Sequence, residues 1–231
     1  MEATLTALAD SAQSAYDAGQ FEKAASLFLQ LESQGADPSS VAFNLGNCYT
    51  RLEEWGQARL YFERAALLRP SDDARYNLEW VRQRLTDELP DPAPELYELV
   101  SNGLRSINAF DWMLQTGVAI VALTVVWLVL RKLYVPLRGL HWRWPLTTTV
   151  IGAVLLAAHL IAQPSSDRAV LTATNSYGYS EPSKASTTLL MLSEGSTGRI
   201  RKSEDDWYYL ELGNGERAWF DRSQWVAVYQ P

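Results

Sequence analysis

The chain contains few of the side chains from which most enzyme active sites are built. Its 231 residues include one cysteine, Cys48, and two histidines, His141 and His159. A single cysteine excludes an intramolecular disulfide and a metal site made of several thiolates. The sequence also lacks a nucleophile elbow, a phosphate-binding glycine loop and a Ser–His–Asp set. We therefore predict a protein that is not an enzyme and that uses no metal or cofactor.

An excess of positive charge is also missing. Lys and Arg together number 20 and Asp and Glu 27, which gives a formal net charge of −7. Nucleic-acid-binding proteins usually present a basic face, so this composition argues against a nucleic-acid partner. The acidity is concentrated in residues 1–110, which hold 17 acidic and 9 basic residues. Ordinary solubility is the simpler explanation of this charge, and attraction of a basic partner surface is the alternative.

Two apolar runs of 18 residues each, 113–130 and 145–162, contain no Asp, Glu, Lys or Arg. As a helix, each run would be about 27 Å long, close to the thickness of the hydrocarbon layer of a bilayer. We predict transmembrane helices at 112–131 and 145–163; two buried helices of a soluble core are the alternative. Aromatic residues that favour the headgroup layer lie near the ends of the runs: Trp112, Trp127, Tyr134, Trp142 and Trp144.

The short loop between the runs, 132–144, predicts the topology. Four basic residues lie in or beside it without an acid: Arg131, Lys132, Arg138 and Arg143. Because such loops stay in the cytoplasm, we expect a two-pass protein of a bacterial inner membrane with both polar arms in the periplasm. Residues 1–10 carry no basic segment followed by an apolar one, so we expect an export signal upstream of Met1; the alternative is a cytoplasmic N-terminal arm, for which the charge rule fails.

The first arm, residues 1–86, contains a repeat of 34 residues, with Leu5 and Ser39 at equivalent positions. The second copy carries small, aromatic and proline residues at a characteristic spacing: Leu45, Gly46, Tyr49, Ala58, Phe62, Ala65 and Pro70. This pattern resembles the tetratricopeptide repeat, a helix–turn–helix unit. The first copy is weaker, and residues 72–85 predict one further helix that caps the second repeat. We therefore expect a small α-solenoid of two repeats and a capping helix.

The concave face of such a solenoid is commonly used for binding. We expect its floor to come from the first helix of each unit, with Arg84 as a further candidate beside Asp10, Gln13, Asp17, Phe43, Asn44, Asn47, Arg51 and Asn77. The resemblance implies that this groove holds an extended peptide or a partner helix. The alternative is a solenoid that acts only as a spacer.

The segment 87–111 is predicted to connect the solenoid to the first span. Pro90, Pro92 and Pro94 favour an extended, semi-rigid linker. Beyond it, apolar residues recur every three or four positions: Leu96, Leu99, Val100, Leu104, Ile107 and Phe110. This spacing predicts an amphipathic helix on the membrane surface; a helix packed under the solenoid is the alternative.

In the second arm, residues 167–231, the pattern changes to short alternating runs that are typical of strands. Asn214-Gly215 is a strong signal for a two-residue hairpin. Together with the loop 176–183, Trp207-Tyr208 and Ala218-Trp219-Phe220, these features resemble a bacterial SH3-like domain, a small β-barrel. The resemblance implies a ligand patch of Tyr177, Tyr179, Trp207 and Trp219, with Trp225 as a further candidate. The alternative is that most of these rings, Trp207 and Trp219 above all, form the core.

The sequence thus predicts a multidomain chain made of an α-solenoid, a membrane hairpin and a small β-barrel. This order of parts resembles the BatE-type proteins of the Bacteroides-aerotolerance group. The resemblance implies a non-catalytic scaffold that works with von Willebrand factor A-domain membrane proteins and a MoxR-type AAA ATPase in envelope stress tolerance. A sensor or anchor that binds peptidoglycan through the SH3-like domain is the alternative.

Overall fold

The computed structural model describes residues 2–85, 89–106, 110–133, 143–161 and 166–229. They belong to two compact units. The first combines Met1–Ala93 with Ser165–Pro231, and the second is Pro94–Pro164. The chain therefore leaves the first unit, forms the second and returns to complete the first.

The N-terminal part of the first unit is helical, as the repeat pattern predicts. Polar caps begin two of the helices: the Asp37 carboxylate accepts a hydrogen bond from the Ser40 amide at 3.0 Å, and the Ser71 hydroxyl accepts one from the Ala74 amide at 3.2 Å. Each helix packs against the next one along the chain. The five helices are α1 (Glu2–Asp17), α2 (Phe21–Ser33), α3 (Pro38–Arg51), α4 (Trp55–Leu68) and α5 (Asp72–Arg82).

Helices α3 and α4 cross at a glycine. A Cβ atom on Gly46 would lie 2.7 Å from the ring of Phe62, too close for any side chain. Leu45, Ala58 and Phe62 are completely or almost completely buried around this crossing. The small and large residues of the repeat pattern are therefore explained by how closely these two helices approach each other.

The C-terminal part of the first unit is an antiparallel sheet of seven strands in the order β3-β2-β6-β5-β4-β1-β7. In β5, Tyr208, Leu210 and Leu212 point into the core, whereas Trp207 and Tyr209 point outward. A 3₁₀ turn, Arg222–Gln224, precedes the last strand. The strands are β1 (Arg168–Leu171), β2 (Asn175–Tyr179), β3 (Thr188–Ser193), β4 (Thr197–Glu204), β5 (Trp207–Leu212), β6 (Arg217–Asp221) and β7 (Trp225–Ala227).

Strand β2 lies where the sequence predicts a loop, at residues 176–183, so that prediction is wrong for the first part of the segment. Asn175–Tyr179 pairs with β3, and Tyr179 also pairs with Trp219 of β6. Gly178 hid the strand because glycine is uncommon in strand interiors. Here a Cβ atom on Gly178 would lie 2.9 Å from both the Ala218 Cβ and the Phe220 ring, so the close approach of β6 requires glycine.

The second unit consists of α6 (Leu96–Ser106), α7 (Phe110–Leu133) and α8 (Arg143–Ile161). Helices α7 and α8 run antiparallel, and glycines lie where they cross. A Cβ atom on Gly117 would be 3.3 Å from the carbonyl oxygen of Gly152, and the hydroxyls of Thr124 and Thr148 lie 3.1 Å apart. Glycines and hydroxyl pairs of this kind are common where membrane helices pack.

Only one helix among the described residues qualifies as a membrane span by length and composition. It covers Leu114–Leu133, with a mean hydropathy of 1.9 and only 11% of its most apolar stretch buried, which is unlike a core helix. The described apolar part of α8, Thr147–Ile161, is shorter. The second predicted span is therefore not confirmed. Most of the predicted basic loop, with Tyr134, Arg138 and Trp142, lies outside the described residues.

Candidate functional site

The solenoid helices and the sheet pack directly against each other, through α4 and β1. Strand β1 is buried on both faces: Ala169 and Leu171 belong to the core of the sheet, whereas Val170 packs among the helices. The sequence contains a signal for this arrangement, since residues 169–171 are continuously apolar and do not alternate. We refer to this contact as the α4–sheet interface.

Backbone groups of the sheet take part in the α4–sheet interface. Arg64 donates from Nε to the Val228 carbonyl and from Nη2 to the Ala227 carbonyl, both at 3.0 Å. The Glu194 carboxylate accepts a hydrogen bond from the Trp55 amide at 3.2 Å. Because Trp55 is the first residue of α4, the sheet supplies an acceptor that the N-terminus of this helix lacks.

A buried ion cluster completes the interface; it consists of Arg59, Glu63, Arg82 and Asp91. Arg59 and Glu63 are each 4% exposed, and the Arg59 Nε atom lies 3.0 Å from a Glu63 oxygen. Both arginines also pair with the Asp91 carboxylate, which accepts a further hydrogen bond from the Thr197 hydroxyl at 2.7 Å. Burial alone would raise the pKa of Asp91, but the two guanidinium groups hold it below its usual value.

Asp91 belongs to the proline-rich segment that the sequence analysis interprets as a linker. Pro92 is buried, and the Ala93 carbonyl accepts a hydrogen bond from the Arg199 Nη2 atom at 3.1 Å. A Cβ atom on Gly213 would collide with the Pro90 carbonyl oxygen. The segment Leu89–Ala93 is non-helical, as its prolines predict, and it is packed between the helices and the sheet.

A cavity of about 560 Å³ lies among the solenoid helices. Of the residues predicted to form the binding groove, Asn47, Arg51 and Asn77 line it, and so does Arg84. The side-chain NH₂ group of Asn77 donates a hydrogen bond to the Asn47 side-chain oxygen at 3.2 Å, and this bond joins α3 and α5 across the cavity. We refer to this cavity and its lining as the groove cavity.

The other predicted groove residues lie elsewhere. Phe43 packs edge-on against Phe62, with ring centroids 5.9 Å apart, and Asn44 is half-buried on the same helix. On α1, Asp10 is exposed, and Gln13 donates to the Asp17 carboxylate at 2.8 Å. The structure therefore brings together predicted residues of α3 and α5, whereas the predicted residues of α1 are not among the described lining of this cavity.

Aromatic residues outside the predicted groove set form much of the groove cavity: Phe21, Trp55, Tyr76 and Trp80. The rings of Trp55 and Trp80 lie 6.0 Å apart, and Tyr76 is 70% exposed. The spacing of Tyr76, Trp80 and Arg84, four residues apart, was a usable signal because it places them on one side of the helix and its continuation. Phe21 and Trp55 lie 34 residues apart, at equivalent positions of the two repeat copies, but this equivalence did not indicate that both reach one cavity.

A second aromatic surface lies on the outer face of the sheet; Tyr177, Tyr179, Trp207, Tyr209 and Trp219 form it, and we call it the sheet patch. The Tyr179 and Trp207 rings are 5.6 Å apart and those of Tyr209 and Trp219 are 5.0 Å apart. All four predicted patch residues thus share one face. The alternative that Trp207 and Trp219 form the core is wrong, because both are half-buried and point outward from their strands.

Trp225 is the tryptophan that belongs to the core of the sheet. It is 3% exposed, its ring lies 5.1 Å from that of Phe220, and its Nε1 atom donates to the Ser176 hydroxyl at 3.1 Å. Its predicted role in ligand binding is therefore excluded by its burial.

A cavity of about 850 Å³ adjoins the sheet patch at Trp207. Its polar lining includes Lys184 and Asp221, whose Nζ and Oδ2 atoms are 2.7 Å apart. The hydrogen bond from Lys184, together with one from Ser223, lowers the pKa of Asp221, so this carboxylate is charged at neutral pH. The cavity therefore combines an aromatic ring with positively and negatively charged hydrogen-bonding groups.

Comparison with protein families identifies one segment of the chain. The tetratricopeptide repeat model matches residues 39–72, which cover nearly all of α3, all of α4 and the start of α5. No curated protein and no solved structure matches the chain. The chain therefore contains a tetratricopeptide repeat, and this repeat favours an interaction with other proteins over catalysis.

Proposed function

We propose that this protein is a membrane-anchored, non-catalytic adaptor that binds protein partners in the groove cavity and on the sheet patch. The observation that carries the proposal is the groove cavity among the tetratricopeptide helices, which is lined by aromatic and arginine side chains. A volume of about 560 Å³ is within the range of specific ligand sites.

Membrane anchoring is proposed from the second unit. Helix α7 has the length and composition of a span, and many of its large apolar side chains are exposed, including Leu123 at 69% and Val125 at 54%. Exposed faces of this kind are costly in water and favourable in lipid. We further propose that α8 is a second span and that Arg131, Lys132, Arg138 and Arg143 keep the intervening loop in the cytoplasm, with both ends in the periplasm of a bacterium.

The identity of the partners rests on the resemblance to the BatE-type proteins. On this proposal the C-terminal sheet is an SH3-like domain, and the partners are von Willebrand factor A-domain membrane proteins acting with a MoxR-type ATPase. The packing of α4 on the sheet supports a scaffold, because a rigid pair of modules presents two surfaces in one geometry.

Peptidoglycan binding is the second candidate function, and the cavity beside Trp207 favours it. Sugar rings are commonly recognised by an aromatic face next to charged and hydroxyl groups, and Lys184, Asp221 and Ser223 provide such groups here. If this function is correct, the full protein sediments with purified sacculi, and Trp207→Ala releases it. A scaffold that binds only proteins does not sediment.

Photocrosslinking in intact membranes tests the adaptor function. A photoreactive amino acid replaces Tyr76 at the rim of the groove cavity, and the matched control replaces Leu29, which is 38% exposed on α2 and does not line the cavity. We expect discrete crosslinked products with other proteins from position 76 and none of these products from position 29. Identical products from both positions, or none from either, would contradict partner binding in the groove.

A further inference from the structure

The charge of the groove cavity is opposite to that of the arm that contains it. Residues 1–110 hold 17 acidic and 9 basic residues, an excess that is explained by solubility or, alternatively, by attraction to a basic partner. The lining of the cavity instead includes two arginines, Arg51 and Arg84, and one acid, Glu53. Local charge at the binding site decides which partner is attracted, because exposed charges farther away than about 10 Å are screened by salt.

Arg51 and Arg84 differ from the arginines around them in what they contact. Arg59 and Arg82 pair with Asp91, Arg69 with Asp37, and Arg75 with Asp72. Within the part of the chain that the structure describes, no carboxylate oxygen lies within 4.0 Å of the guanidinium of Arg51 or Arg84. These two cations are therefore available to a carboxylate from another molecule.

Both guanidinium groups are held on aromatic rings. Arg51 lies 5.1 Å from the centroid of the Phe21 ring, and Arg84 lies over the Trp80 ring and donates to the Trp80 carbonyl at 2.9 Å. Stacking orients the planar group before a ligand arrives, and this reduces the entropy that binding must overcome. A guanidinium held in this way offers parallel N–H donors, the geometry that a carboxylate accepts best.

The remaining lining is suited to a large apolar side chain. Tyr76, Trp80, Trp55 and Phe62 line the same cavity as the two arginines, and the Trp55 and Trp80 rings lie 6.0 Å apart. The Asn47 side-chain oxygen accepts a hydrogen bond from the Asn77 side chain. The Asn47 NH₂ group takes no part in that hydrogen bond and is a further donor in the cavity lining. The cavity thus combines an apolar surface, an amide donor and two cations.

We propose that the groove cavity binds an acidic segment of a partner protein, with a large apolar side chain among the aromatic rings and flanking carboxylates on Arg51 and Arg84. This inference rests on the proposed partner-binding function and specifies the chemistry of the partner. Charge complementarity selects this occupant, because a basic segment would face two guanidinium groups and, among the described lining residues, one carboxylate, that of Glu53.

Fluorescence anisotropy with the full chain in detergent micelles tests the proposal. The probes are three labelled nine-residue peptides with a central Leu-Phe pair, flanked by Glu, by Gln or by Lys. We expect the Glu peptide to bind at least about tenfold more tightly than the Gln peptide, and its affinity to fall as salt rises from low to high concentration. Equal affinity for the Glu and Gln peptides, or preference for the Lys peptide, would overturn the proposal.

Matched variants assign the effect to the two arginines. The double variant Arg51→Gln with Arg84→Gln should lose about tenfold or more in affinity for the Glu peptide. The control Arg75→Gln removes an exposed arginine that pairs with Asp72 outside the cavity, and it should bind like the unmodified protein. A melting temperature equal to that of the unmodified protein shows that the double variant is folded. Unchanged affinity in a folded double variant contradicts the proposal.

The crosslinking experiment from position 76 separates this inference from the function on which it rests. If position 76 captures a protein partner while the Glu peptide shows no preference, the groove binds partners of another chemistry and only the present inference is wrong. If neither crosslinks nor peptide binding are observed, both the inference and the partner-binding function are wrong.

Discussion

The Arg59 Nη1 atom donates to the carbonyl oxygen of Gly195 at 2.8 Å, and this hydrogen bond joins two buried residues that are 136 positions apart. Gly195 has a φ angle of +80°, and a Cβ atom on it would lie 2.3 Å from a methyl carbon of Leu85. The turn therefore needs glycine both for its backbone conformation and for its contact with the helices. Through this pair, a tetratricopeptide helix and a sheet turn form one structural unit.

Arg59→Ala is expected to destabilise the first unit by about 3–5 kcal/mol, because it leaves the buried Glu63 and the partly buried Asp91 without their main counter-ion. The measurement is the midpoint of thermal unfolding of the full chain in detergent. Arg75→Ala is the control: it removes an exposed pair, and such pairs contribute about 0–1 kcal/mol. A similar decrease in the unfolding midpoint of both variants would show that the buried cluster stabilises the protein no more than an exposed ion pair does.

The stability of the α4–sheet interface should depend on pH through Asp91. Its pKa is lowered in the folded protein, so its contribution is complete above the unfolded value, about 3.9, and is lost as the pH falls through the folded value. We expect Asp91→Asn to destabilise the protein at pH 7 and to cost progressively less below about pH 4. Thermal midpoints of both proteins from pH 7 to pH 3 provide the test. A cost that is constant with pH would contradict the assignment.

Gly56→Ala tests how closely α4 approaches β1. Alanine favours a helix over glycine by about 1 kcal/mol, so the substitution would stabilise an isolated helix. Here the new Cβ atom would lie 2.6 Å from the Leu171 carbonyl oxygen, which belongs to rigid backbone. We therefore expect a net destabilisation of about 1–3 kcal/mol, measured by denaturant unfolding.

Gly103→Ala is the matched control for that substitution. Gly103 also lies in a helix, and a Cβ atom on it would meet nothing within 4 Å. We expect this variant to be neutral or slightly stabilised. If Gly56→Ala behaves in the same way as Gly103→Ala, the close contact between α4 and β1 is wrong.

Cysteine labelling tests the proposed topology. The native Cys48 is completely buried, and burial raises its pKa to about 11, so it should not react with a maleimide at pH 7 in the folded protein. In a Cys48→Ala background, an impermeant reagent added from the periplasmic side should label Tyr76→Cys but not Lys132→Cys. Disruption of the membrane should expose both positions. The opposite pattern in intact cells would reverse the topology.

Much of the local structure follows from the sequence because it depends on neighbouring residues. Gly46 and Phe62 identify a repeat since one helix pair buries both, and the alternation in Trp207–Leu212 identifies β5 because adjacent side chains point to opposite faces. The local sequence did not indicate strand β2, because Gly178 is required by the close approach of strand β6 and not by the pattern of its own segment. In the groove, the predicted residues Asn47, Arg51 and Asn77 share a cavity, whereas Phe21 and Trp55 enter it from the starts of other helices.

By itself, the sequence determined the helical repeat, the apolar helix α7 and most strands, since periodicity and composition over ten to twenty residues decide these elements. The tertiary structure alone decided that α4 is the element that covers the second face of β1 and that Leu89–Ala93 lies between the helices and the sheet. Those contacts join distant residues, and several end on backbone carbonyls such as those of Gly195 and Val228, which are chemically the same in every residue. No pattern of side chains encodes them locally, and they form only when the chain brings both ends of the first unit together.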